Sequence, residues 1–451
     1  MHSSIDQKLA TREPLRIAIV GGGVSGLVAA RLLAARHEVV LYEAAESLGG
    51  HANTVGFTAY GRPFAADTGF MVCNDRTYPN FLRLLGKLGV PLQDSDMSFA
   101  VRSDADHLEY QGSSLGGLFA QRANLLRPRF WRMLRDIVRF NRQAPRDFLD
   151  GELASTDISL RDYVRRGGYG DSFWRHYLLP MTAAIWSAPA EEVGEFPAAF
   201  LIRFFKNHGL LDLRNRPQWK TIPGGSRRYV AAIAEFLNQR AAVRTAAPIE
   251  SVRRTDSGVS VTPRGEAPEL FDAAVLATHA PRTLAMLADA TAEERRTLQA
   301  FPYQPNRAVL HTDPSLLPRR QAAWASWNYL VTGDPQRPVA VTYDLNRLQR
   351  LGAPGPICVT LNPPREIPRD HFLAEFAYDH PLFTRASIAA QGQHEQLHAD
   401  GRVTFAGAYW GNGFHEDGVN SALVACRRFG VGMSELDRAG SRETRALAPL
   451  P

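Results

Sequence analysis

The fold is decided by one stretch near the N-terminus, Arg16-Ile-Ala-Ile-Val-Gly-Gly-Gly-Val-Ser-Gly-Leu-Val-Ala-Ala30. Ile17 to Val20 is a short, mostly β-branched run with a turn directly behind it, which predicts a buried parallel strand. Leu27 to Ala35 is apolar and helix-forming. Between strand and helix stand the three glycines of a G-x-G-x-x-G pattern, Gly21, Gly23 and Gly26. The stretch therefore predicts a strand, a glycine turn and a helix.

This arrangement is typical of a site for a pyrophosphate group. Gly21 allows the tight turn, Gly23 lets the backbone approach a phosphate, and Gly26 lets the helix pack against the strand. The free N–H groups at the start of the helix, with Val24 and Ser25, face the anion together with the positive end of the helix dipole. A glycine turn that binds nothing is the structural alternative.

Glu43 supports the ligand-binding interpretation. Glu38-Val-Val-Leu-Tyr-Glu43 predicts the next parallel strand. Glu43 stands about 20 residues beyond the first glycine, where an acidic side chain binds the ribose hydroxyls of a dinucleotide. The strands, glycines and carboxylate together favour a dinucleotide site over a purely structural turn.

Length and composition limit the classes of protein. The chain has 451 residues, which predicts two or three domains. Its net charge of +6 fits weak attraction to anionic lipid or nucleic acid. The three cysteines are far apart, which argues against a disulfide framework and against a redox-active C-x-x-C pair. No apolar run reaches the ~18 residues that span a bilayer. We expect a cytoplasmic protein, at most peripheral to the inner face of the membrane, without a nucleic-acid partner.

The segment after Glu43 predicts a hairpin and then helices. Residues 53–62 alternate around a turn at Tyr60-Gly61. Residues 78 to about 170 are predicted to be mainly helical. Within them Leu125 to Arg142 is amphipathic, with an apolar stripe at Leu126, Phe130, Leu134 and Val138. This run is interpreted either as a surface helix that buries one face or as a basic helix that touches an anionic membrane surface.

The second half predicts a return to the first domain and a second sheet. A β-rich block ends in Ala273 to Thr278, which predicts another central parallel strand. Strand-like runs between 303 and 361 predict an antiparallel sheet that floors a second domain. A strand at Arg402 to Ala408 and a glycine-rich loop are predicted to precede a helix from Val419 to about Gly430.

Four separated pieces of sequence occur in an order that one family shares. They are the glycine loop with Glu43, Leu48-Gly-Gly50, Ile222-Pro-Gly-Gly225 and Phe405-Ala-Gly-Ala-Tyr-Trp-Gly-Asn-Gly-Phe-His-Glu-Asp-Gly-Val-Asn-Ser-Ala422. From about residue 14 to 432 the chain resembles the flavin-containing amine oxidase superfamily. Gly-Gly-His51-Ala-Asn and Gly413-Phe-His-Glu-Asp-Gly418 resemble a bacterial subgroup encoded beside cyclopropane-fatty-acid synthase-like methyltransferases.

The resemblance implies an α/β architecture with a discontinuous, Rossmann-type FAD-binding domain and an α+β substrate-binding domain that contains an antiparallel sheet and helices. The FAD-binding domain would comprise residues 14–76, 221–300 and 395–435. The substrate-binding domain would comprise residues 77–220 and 301–394, and the flexible termini residues 1–13 and 436–451.

The resemblance also implies how FAD would be held, and we expect the complex to be non-covalent. Its expected contacts are the glycine loop for the pyrophosphate, Glu43 for the adenosine ribose, Gly49 and Gly50 for the ribityl and phosphate region, Val243 for the adenine, and Gly407 for the diphosphate. Ala408 stands where many relatives carry an acidic residue. Gly418 and Val419 would begin a helix whose positive end faces the flavin pyrimidine ring.

His51 directly follows Gly49 and Gly50, and three roles are open for it. It can hydrogen-bond FAD or substrate, serve the structure, or bind the flavin methyl group covalently. Asp67, Gly69 and Cys73 lie in the next segment, which is expected to approach the flavin ring. The alternative for Cys73 is an inert buried thiol.

The loop near residue 415 holds further candidates. His415 can act as acid, base or orienting group, while Glu416 or Asp417 can simply cap the helix. Tyr409 and Trp410 can wall the substrate site or only pack. The pair His394 and His398 lacks a third ligand, so we expect no metal site.

The chemistry is expected to be redox chemistry with FAD. No second strand–G-x-G-x-x-G–helix unit is present, so a dedicated NAD(P)H domain is not expected. The lysine that amine oxidases keep near the flavin is absent where this chain has Asn306, Arg307 and His311. We expect an oxidoreductase that abstracts hydride from a hydrophobic substrate, a modified fatty acyl chain or phospholipid, to form a C=C bond. The alternatives are a redox-neutral double-bond isomerase, an amine oxidase, and a non-catalytic lipid- or prenyl-binding module of the same fold.

Overall fold

The computed structural model describes residues 13–149, 151, 158–212, 216–332, 339–398 and 401–436. Within these ranges the chain is a mixed α/β structure, which confirms the expected class. Nearly all of the predicted flexible termini, residues 1–12 and 437–451, lie outside the described residues.

The strands carry labels in chain order. They are β1 Arg16–Val20, β2 Glu38–Tyr42, β3 Thr54–Ala59, β4 Arg62–Asp67, β5 Cys73–Asn74, β6 Gln93–Asp94, β7 Phe99–Ser103, β8 Leu108–Gln111, β9 Trp219–Thr221, β10 Ala242–Arg244, β11 Ile249–Thr255, β12 Gly258–Pro263, β13 Glu269–Phe271, β14 Ala273–Leu276, β15 Tyr303–His311, β16 Trp327–Val331, β17 Ala340–Asp344, β18 Cys358–Leu361, β19 Phe372–Pro381 and β20 Val403–Phe405.

The helices are numbered in the same way. They are α1 Val24–Leu33, α2 Pro79–Lys87, α3 Leu115–Leu118, α4 Pro128–Leu149, α5 Leu160–Arg166, α6 Asp171–Phe173, α7 Leu179–Trp186, α8 Ala190–Glu195, α9 Ala198–Asn207, α10 Arg227–Arg240, α11 Ala280–Met286, α12 Ala292–Gln299, α13 Leu345–Leu348, α14 Arg385–Gln391 and α15 His415–Arg427. No helix among the described residues combines the length and apolar character needed to cross a bilayer.

A five-stranded parallel sheet holds the N-terminal glycine stretch. Its order is β10-β2-β1-β14-β20. Ile17 of β1 pairs with Val39 on one side and Ala273 on the other. The central strands are buried on both faces, as their continuous apolar runs predict. Helices α1, α10 and α15 contribute to the apolar cluster on one face, and β11 to β13 contribute to the cluster on the other.

A seven-stranded sheet forms the second large layer, in the order β19-β15-β18-β17-β16-β7-β8. The expected antiparallel sheet is present, except that β16 and β7 pair in parallel. Its inner side chains and those of helices α4 to α9 form the largest apolar cluster, which includes Phe205, Leu310 and Val341. The strand β19 lies at the edge of this sheet, and the sequence patterns did not predict it.

The prediction that residues 78 to 170 are mainly helical is wrong for 93–111. This part contains β6, β7 and β8. The run Phe99-Ala-Val-Arg-Ser103 becomes a strand because it lies between β8 and β16, and β16 comes more than 200 residues later in the chain. A partner so distant leaves no local signal, so a short apolar run was ambiguous.

The amphipathic run is a helix that begins at Pro128, not at Leu125. Proline fits the first turn of a helix because its missing N–H has no partner there. Arg122–Leu126 instead form a short 3-10 turn. Phe130 is buried as predicted, whereas Leu126 is 88% exposed, so the expected buried stripe is wrong at Leu126.

The last helix begins at His415, four residues earlier than predicted. Gly418 therefore lies inside α15 and does not begin it. The Asp417 carboxylate accepts the N–H of Phe414 at 2.9 Å. This bond confirms the interpretation that a carboxylate of this loop caps the helix.

Candidate functional site

A cradle for a phosphate group lies between β1 and α1. Gly21 has φ +106°, and a Cβ on Gly26 would lie 1.8 Å from the Gly21 carbonyl oxygen, so the backbone itself demands both glycines. A Cβ on Gly23 would meet no atom within 4 Å. Gly23 caps α1 without a side-chain hydrogen bond, which leaves the first N–H groups of the helix uncapped by any side chain. The open space in front of Gly23 therefore fits an anion.

Gly49 and Gly50 lie against this cradle. The N–H of Gly49 donates to the carbonyl of Gly22 at 2.9 Å, and a Cβ on Gly50 would lie 3.2 Å from the Cα of Gly23. At Gly418 a Cβ would lie 2.6 Å from Val24, so α15 closely approaches the start of α1. The structure thus brings three of the predicted cofactor segments together, and Val419 is buried beside them.

Glu43 stands at the carboxyl end of β2 and faces the glycine loop. Its Oε2 accepts the N–H of Gly22 at 2.6 Å, and its Oε1 accepts the N–H of Ala45 at 2.8 Å. A carboxylate has about four acceptor positions, so two remain for other donors. Val243 lies on the neighbouring strand β10, opposite Leu41. Glu43 and Val243 therefore lie toward the carboxyl ends of neighbouring strands, as the glycine loop does after β1.

Gly407 and Ala408 connect β20 to the last helix. The N–H of Gly407 donates to the Ser421 hydroxyl at 2.9 Å, and a Cβ on Gly407 would lie 2.3 Å from the Tyr409 ring. Ala408 begins a 3-10 turn. Gly407 and Ala408 can therefore offer backbone groups to a cofactor, but neither has an acidic side chain.

Asp67 has a structural role in the described residues. Its Oδ1 accepts the hydroxyls of Thr54 and Ser226, each at 2.6 Å, and the backbone N–H of Ser226. These bonds fix the β3–β4 hairpin to the start of α10. Burial raises the pKa of Asp67, because an ionised carboxylate loses hydration there. The contact with a cofactor that the sequence predicts for Asp67 stays a prediction.

Gly69 and Cys73 differ in what they do. A Cβ on Gly69 would lie 2.3 Å from the His51 carbonyl oxygen, and the next N–H, of Phe70, donates to that oxygen at 2.7 Å. Gly69 therefore lets this segment fix the backbone of His51. Cys73 is buried, and burial raises the pKa of its thiol to about 12, as expected of an inert thiol.

His51 belongs to a cluster of imidazole and phenol rings that joins the two sheets. We define the histidine cluster as His51, His279, His380 and Tyr378. The His51 ring lies 5.7 Å from each of the other two imidazoles and 5.1 Å from the Tyr378 ring, measured between centroids. His51 follows the glycine pair, His279 follows β14, and the other two residues lie on β19. The cluster therefore sits where the cofactor segments meet the seven-stranded sheet.

The imidazoles of the histidine cluster are held in the neutral form. Burial lowers the pKa of His51 well below its usual range, and the neighbouring imidazoles lower it further. Burial also lowers the pKa of His380 to about 4 and lowers that of His279. At neutral pH the cluster can donate and accept hydrogen bonds without presenting a charge.

Hydrogen bonds and aromatic rings extend the cluster. The Tyr378 hydroxyl is held by Thr68 at 2.7 Å and Asn53 at 2.9 Å. The Nδ1 of His380 is hydrogen-bonded to Ser187 at 3.0 Å. Ser187 directly follows Trp186, whose ring contacts those of Phe196, Phe200, Phe204 and Phe383. The side chains around Trp186, next to the hydrogen-bond partner of His380, are therefore apolar and aromatic.

His415 is placed as a packing residue. Its ring stacks on Phe70 at 3.5 Å, and its Nε2 is hydrogen-bonded to the Tyr229 hydroxyl at 3.0 Å. Burial lowers its pKa to about 3. A neutral imidazole that is stacked and already hydrogen-bonded gives no support for the predicted acid or base role.

Tyr409 and Trp410 also pack, as the alternative interpretation had it. Both are buried, and Phe301 contacts both rings at 4.8 and 5.1 Å. His394 stacks on Trp410 at 4.2 Å, and its Nε2 is bonded to the Phe405 carbonyl. His398 Nε2 accepts the N–H of Phe405 at 3.1 Å. Both histidines thus hydrogen-bond to the backbone of β20. No group of three metal-ligating side chains occurs among the described residues.

Three residues of the histidine cluster were missed in the sequence. His279 follows a predicted central parallel strand, and the carboxyl ends of such strands carry ligand sites. That signal was available. Tyr378 and His380 lie on β19, which was not predicted, so no pattern pointed to them.

Comparison with known proteins identifies the family of the chain. A sequence model of the family described as flavin containing amine oxidoreductase matches residues 24–334. A protein named as a flavin-containing monoamine oxidase of Mycobacterium tuberculosis is 30% identical over 254 residues, which cover 54% of this chain and 53% of that protein. A carotenoid phi-ring synthase of Streptomyces griseus is 29% identical over 288 residues, or 58% of this chain and 52% of that protein. The chain thus spans about half the length of these curated relatives.

Solved structures show the same fold. Cyclohexylamine oxidase from Brevibacterium oxydans superposes with a TM-score of 0.66 at 15% identity, covering 92% of this chain and 99% of that one. A fatty acid isomerase from P. acnes gives a TM-score of 0.64 at 15% identity, covering 92% and 98%. These likenesses concern the fold alone. Because the family's sequence model covers well over half of the chain, this protein belongs to the flavin containing amine oxidoreductase family.

Proposed function

We propose that this protein is an FAD-dependent oxidoreductase that abstracts hydride from a hydrophobic substrate and leaves a C=C bond in it. The preferred substrate is a modified fatty acyl chain, free or within a phospholipid. Family membership implies FAD as the cofactor. The observation that carries the proposal is the meeting of the glycine cradle with the neutral histidine cluster at His51.

The cradle fits the adenosine diphosphate half of FAD, in a Rossmann-type arrangement. The uncapped N–H groups at Val24 and Ser25 suit a pyrophosphate, and the space in front of Gly23 leaves room for it. Glu43 keeps acceptor positions for ribose hydroxyls at the end of the adjacent strand. These features support non-covalent binding of the dinucleotide.

Bound FAD supplies the hydride-accepting centre, and oxygen or a quinone is the class of final acceptor we propose. Forming a C=C bond also removes a proton from the neighbouring carbon. His51 is unprotonated at neutral pH and fixed through its backbone by Gly69 and Phe70, so it can accept that proton or a hydrogen bond. The rings of His279 and His380 lie next to the His51 ring and restrict its position.

The chemistry beside the histidine cluster supports an apolar substrate. Rings of Trp186, Phe200 and Phe383 form the surroundings beyond Ser187. The described lysines lie elsewhere: Lys220 pairs with Asp94 at 3.0 Å, Lys206 lies over Phe148, and Lys87 ends α2. The amine oxidase alternative therefore lacks the lysine that the family resemblance would place near the flavin.

The test is an anaerobic titration of the FAD-loaded protein with phospholipid acyl chains and, separately, with primary amines. We expect acyl lipid to bleach the visible flavin band and to give a product lighter by two hydrogens. Turnover of amines without any reaction with acyl lipid would contradict the proposal. Conversion at unchanged product mass would support the isomerase instead, and protein that binds no FAD would support the binding module.

A further inference from the structure

One surface concentrates exposed apolar side chains. We define the docking surface as residues 112–135, from the end of β8 to the second turn of α4. It contains the two most exposed large apolar side chains of the described residues, Leu126 at 88% and Leu115 at 77%. Leu125 and Trp131 are each 48% exposed. Exposed apolar groups gathered in one place indicate an interaction site.

The chain segments that carry these side chains contact one another. The turn of α3 runs from Leu115 to Phe119, whose N–H donates to the Leu115 carbonyl at 3.0 Å. The Phe119 ring lies 5.6 Å from the Trp131 ring, and the Trp131 indole N–H donates to the Leu125 carbonyl at 2.9 Å. These contacts connect the turn that carries Leu115 with the segment that carries Leu125 and Trp131.

The outward position of Leu125 and Leu126 is fixed by buried polar anchors. The Gln121 amide exchanges hydrogen bonds with the N–H of Glu109 and the carbonyl of His107. Asn124, which is fully buried, donates to the Glu109 carbonyl at 3.1 Å. The leucines therefore lie on a turn that these hydrogen bonds anchor to residues 107–109.

The charge of the docking surface has a single sign. Residues 112–135 contain five arginines and no aspartate or glutamate. Arg122, Arg129 and Arg132 are exposed, and none of them forms an ion pair with a carboxylate in the ranges that the structure describes. A fixed apolar tip surrounded by cations is complementary to an anionic interface with an apolar interior.

We propose that residues 112–135 dock the protein on bilayers that contain anionic phospholipid. Leu125, Leu126 and Trp131 enter the headgroup region, where an indole ring is favoured. Arg122, Arg129 and Arg132 contact lipid phosphates. The binding combines an apolar and an electrostatic contribution, which is what a reversible peripheral contact requires. This inference does not depend on the proposed reaction.

Co-sedimentation of the full-length, FAD-loaded protein with vesicles tests the proposal. Vesicles of phosphatidylcholine alone are compared with vesicles that contain phosphatidylglycerol. We expect binding to the anionic vesicles at least about tenfold stronger than to the neutral ones, and its loss in high salt, since salt screens exposed charges. Equal pelleting with both kinds of vesicle, or with neither, would overturn the proposal.

Two variants locate the contact, and one serves as a control. Leu126→Ser and the double variant R129S/R132S are each expected to weaken binding to anionic vesicles about tenfold, with the FAD spectrum and thermal midpoint unchanged. Leu270→Ser removes a leucine that is 50% exposed on β13 and is expected to bind like the wild type. If both surface variants bind as the control does, the assignment is wrong. Dimerisation that Leu126→Ser abolishes, without vesicle binding, would also contradict it.

Discussion

The glycine cradle and the histidine cluster touch at His51 but are built in different ways. The cradle uses backbone N–H groups, open space and close approaches of the chain, all set by short motifs. The histidine cluster uses side chains from three distant parts of the chain, the loop after β2, the end of β14 and the edge strand β19. Backbone recognition leaves a spaced glycine pattern in the sequence, whereas the cluster leaves only separate signals at His51 and His279 and none for the two residues on β19.

The largest expected effect is on the cradle. Gly26→Ala places a Cβ 1.8 Å from the Gly21 carbonyl oxygen, and neither backbone can yield. We expect a loss of roughly 3–5 kcal/mol in unfolding free energy, or no folded protein, by thermal and urea denaturation. The control is Gly86→Ala on the exposed face of α2, where a Cβ meets nothing, with an expected gain of about 0.5–1 kcal/mol. Equal stability of the two variants would contradict this account of the cradle.

A change in the histidine cluster separates chemistry from cofactor binding. His380→Phe removes the hydrogen bond to Ser187 and a ring 5.7 Å from His51. We expect turnover to fall about 100-fold while FAD content stays at the wild-type level. Steady-state kinetics and the visible spectrum measure the two quantities. His107→Asn, at an exposed turn, is the control, and loss of FAD from His380→Phe alone would mean that the two regions are not separable.

Stability is expected to fall as the pH drops from about 6.5 to 4. Burial lowers the pKa of His208, His380 and His394 to about 4, so the unfolded chain binds protons in this range that the folded chain rejects. Asp67, Asp344, Glu416 and Asp417 act in the opposite direction, because burial raises their pKa values, that of Asp417 to about 7. Nine described histidines have a pKa that burial lowers, and they outnumber these four carboxylates. Denaturation midpoints measured between pH 7 and 4 test this expectation, and a flat profile would contradict it.

His208→Phe reduces that pH dependence. The His208 ring stacks on Phe204 at 3.9 Å, a contact that phenylalanine can keep. Removing one titrating group is expected to lower the slope by at most about 1.4 kcal/mol per pH unit. An unchanged slope would exclude His208 as a contributor.

The smallest expected effect is on Glu43. Glu43→Gln keeps an oxygen for the Gly22 N–H but removes the negative charge at the ribose position. We expect FAD to dissociate about tenfold more easily, as measured by fluorescence titration. Glu46→Gln, on the exposed turn that follows, is the control. Identical affinity in both variants would mean that Glu43 only supports the loop.

The sequence predicted the parallel sheet well and the second layer only in part. The strands β1, β2 and β14 are continuous apolar runs next to a diagnostic turn, so local patterns suffice. The strand β7 pairs with β16, far away in the chain, and it lies in a region for which the sequence predicts helix. The strand β19 carries His380 and was not predicted. Leu126 matches the helical spacing, but Pro128 starts the helix after it.

The same difference applies to the site residues. The cofactor contacts of Gly21, Gly23, Gly26 and Glu43 could be predicted because the spacing of these residues is typical of a dinucleotide site. His415, Tyr409 and Trp410 lie in a conspicuous motif, yet the fold turns their rings into packed layers. Motif membership could not show which way a side chain would face.

The FAD affinity of Gly23→Val tests most directly whether the glycine cradle holds the pyrophosphate. Residue 23 has φ −74°, and a Cβ there meets no protein atom within 4 Å, so the variant is expected to fold with little loss of stability. Its side chain would occupy the space assigned to the pyrophosphate. We expect a folded protein that no longer binds FAD, measured by fluorescence titration beside Gly86→Val as the control. A folded Gly23→Val protein that binds FAD like the wild type would contradict it.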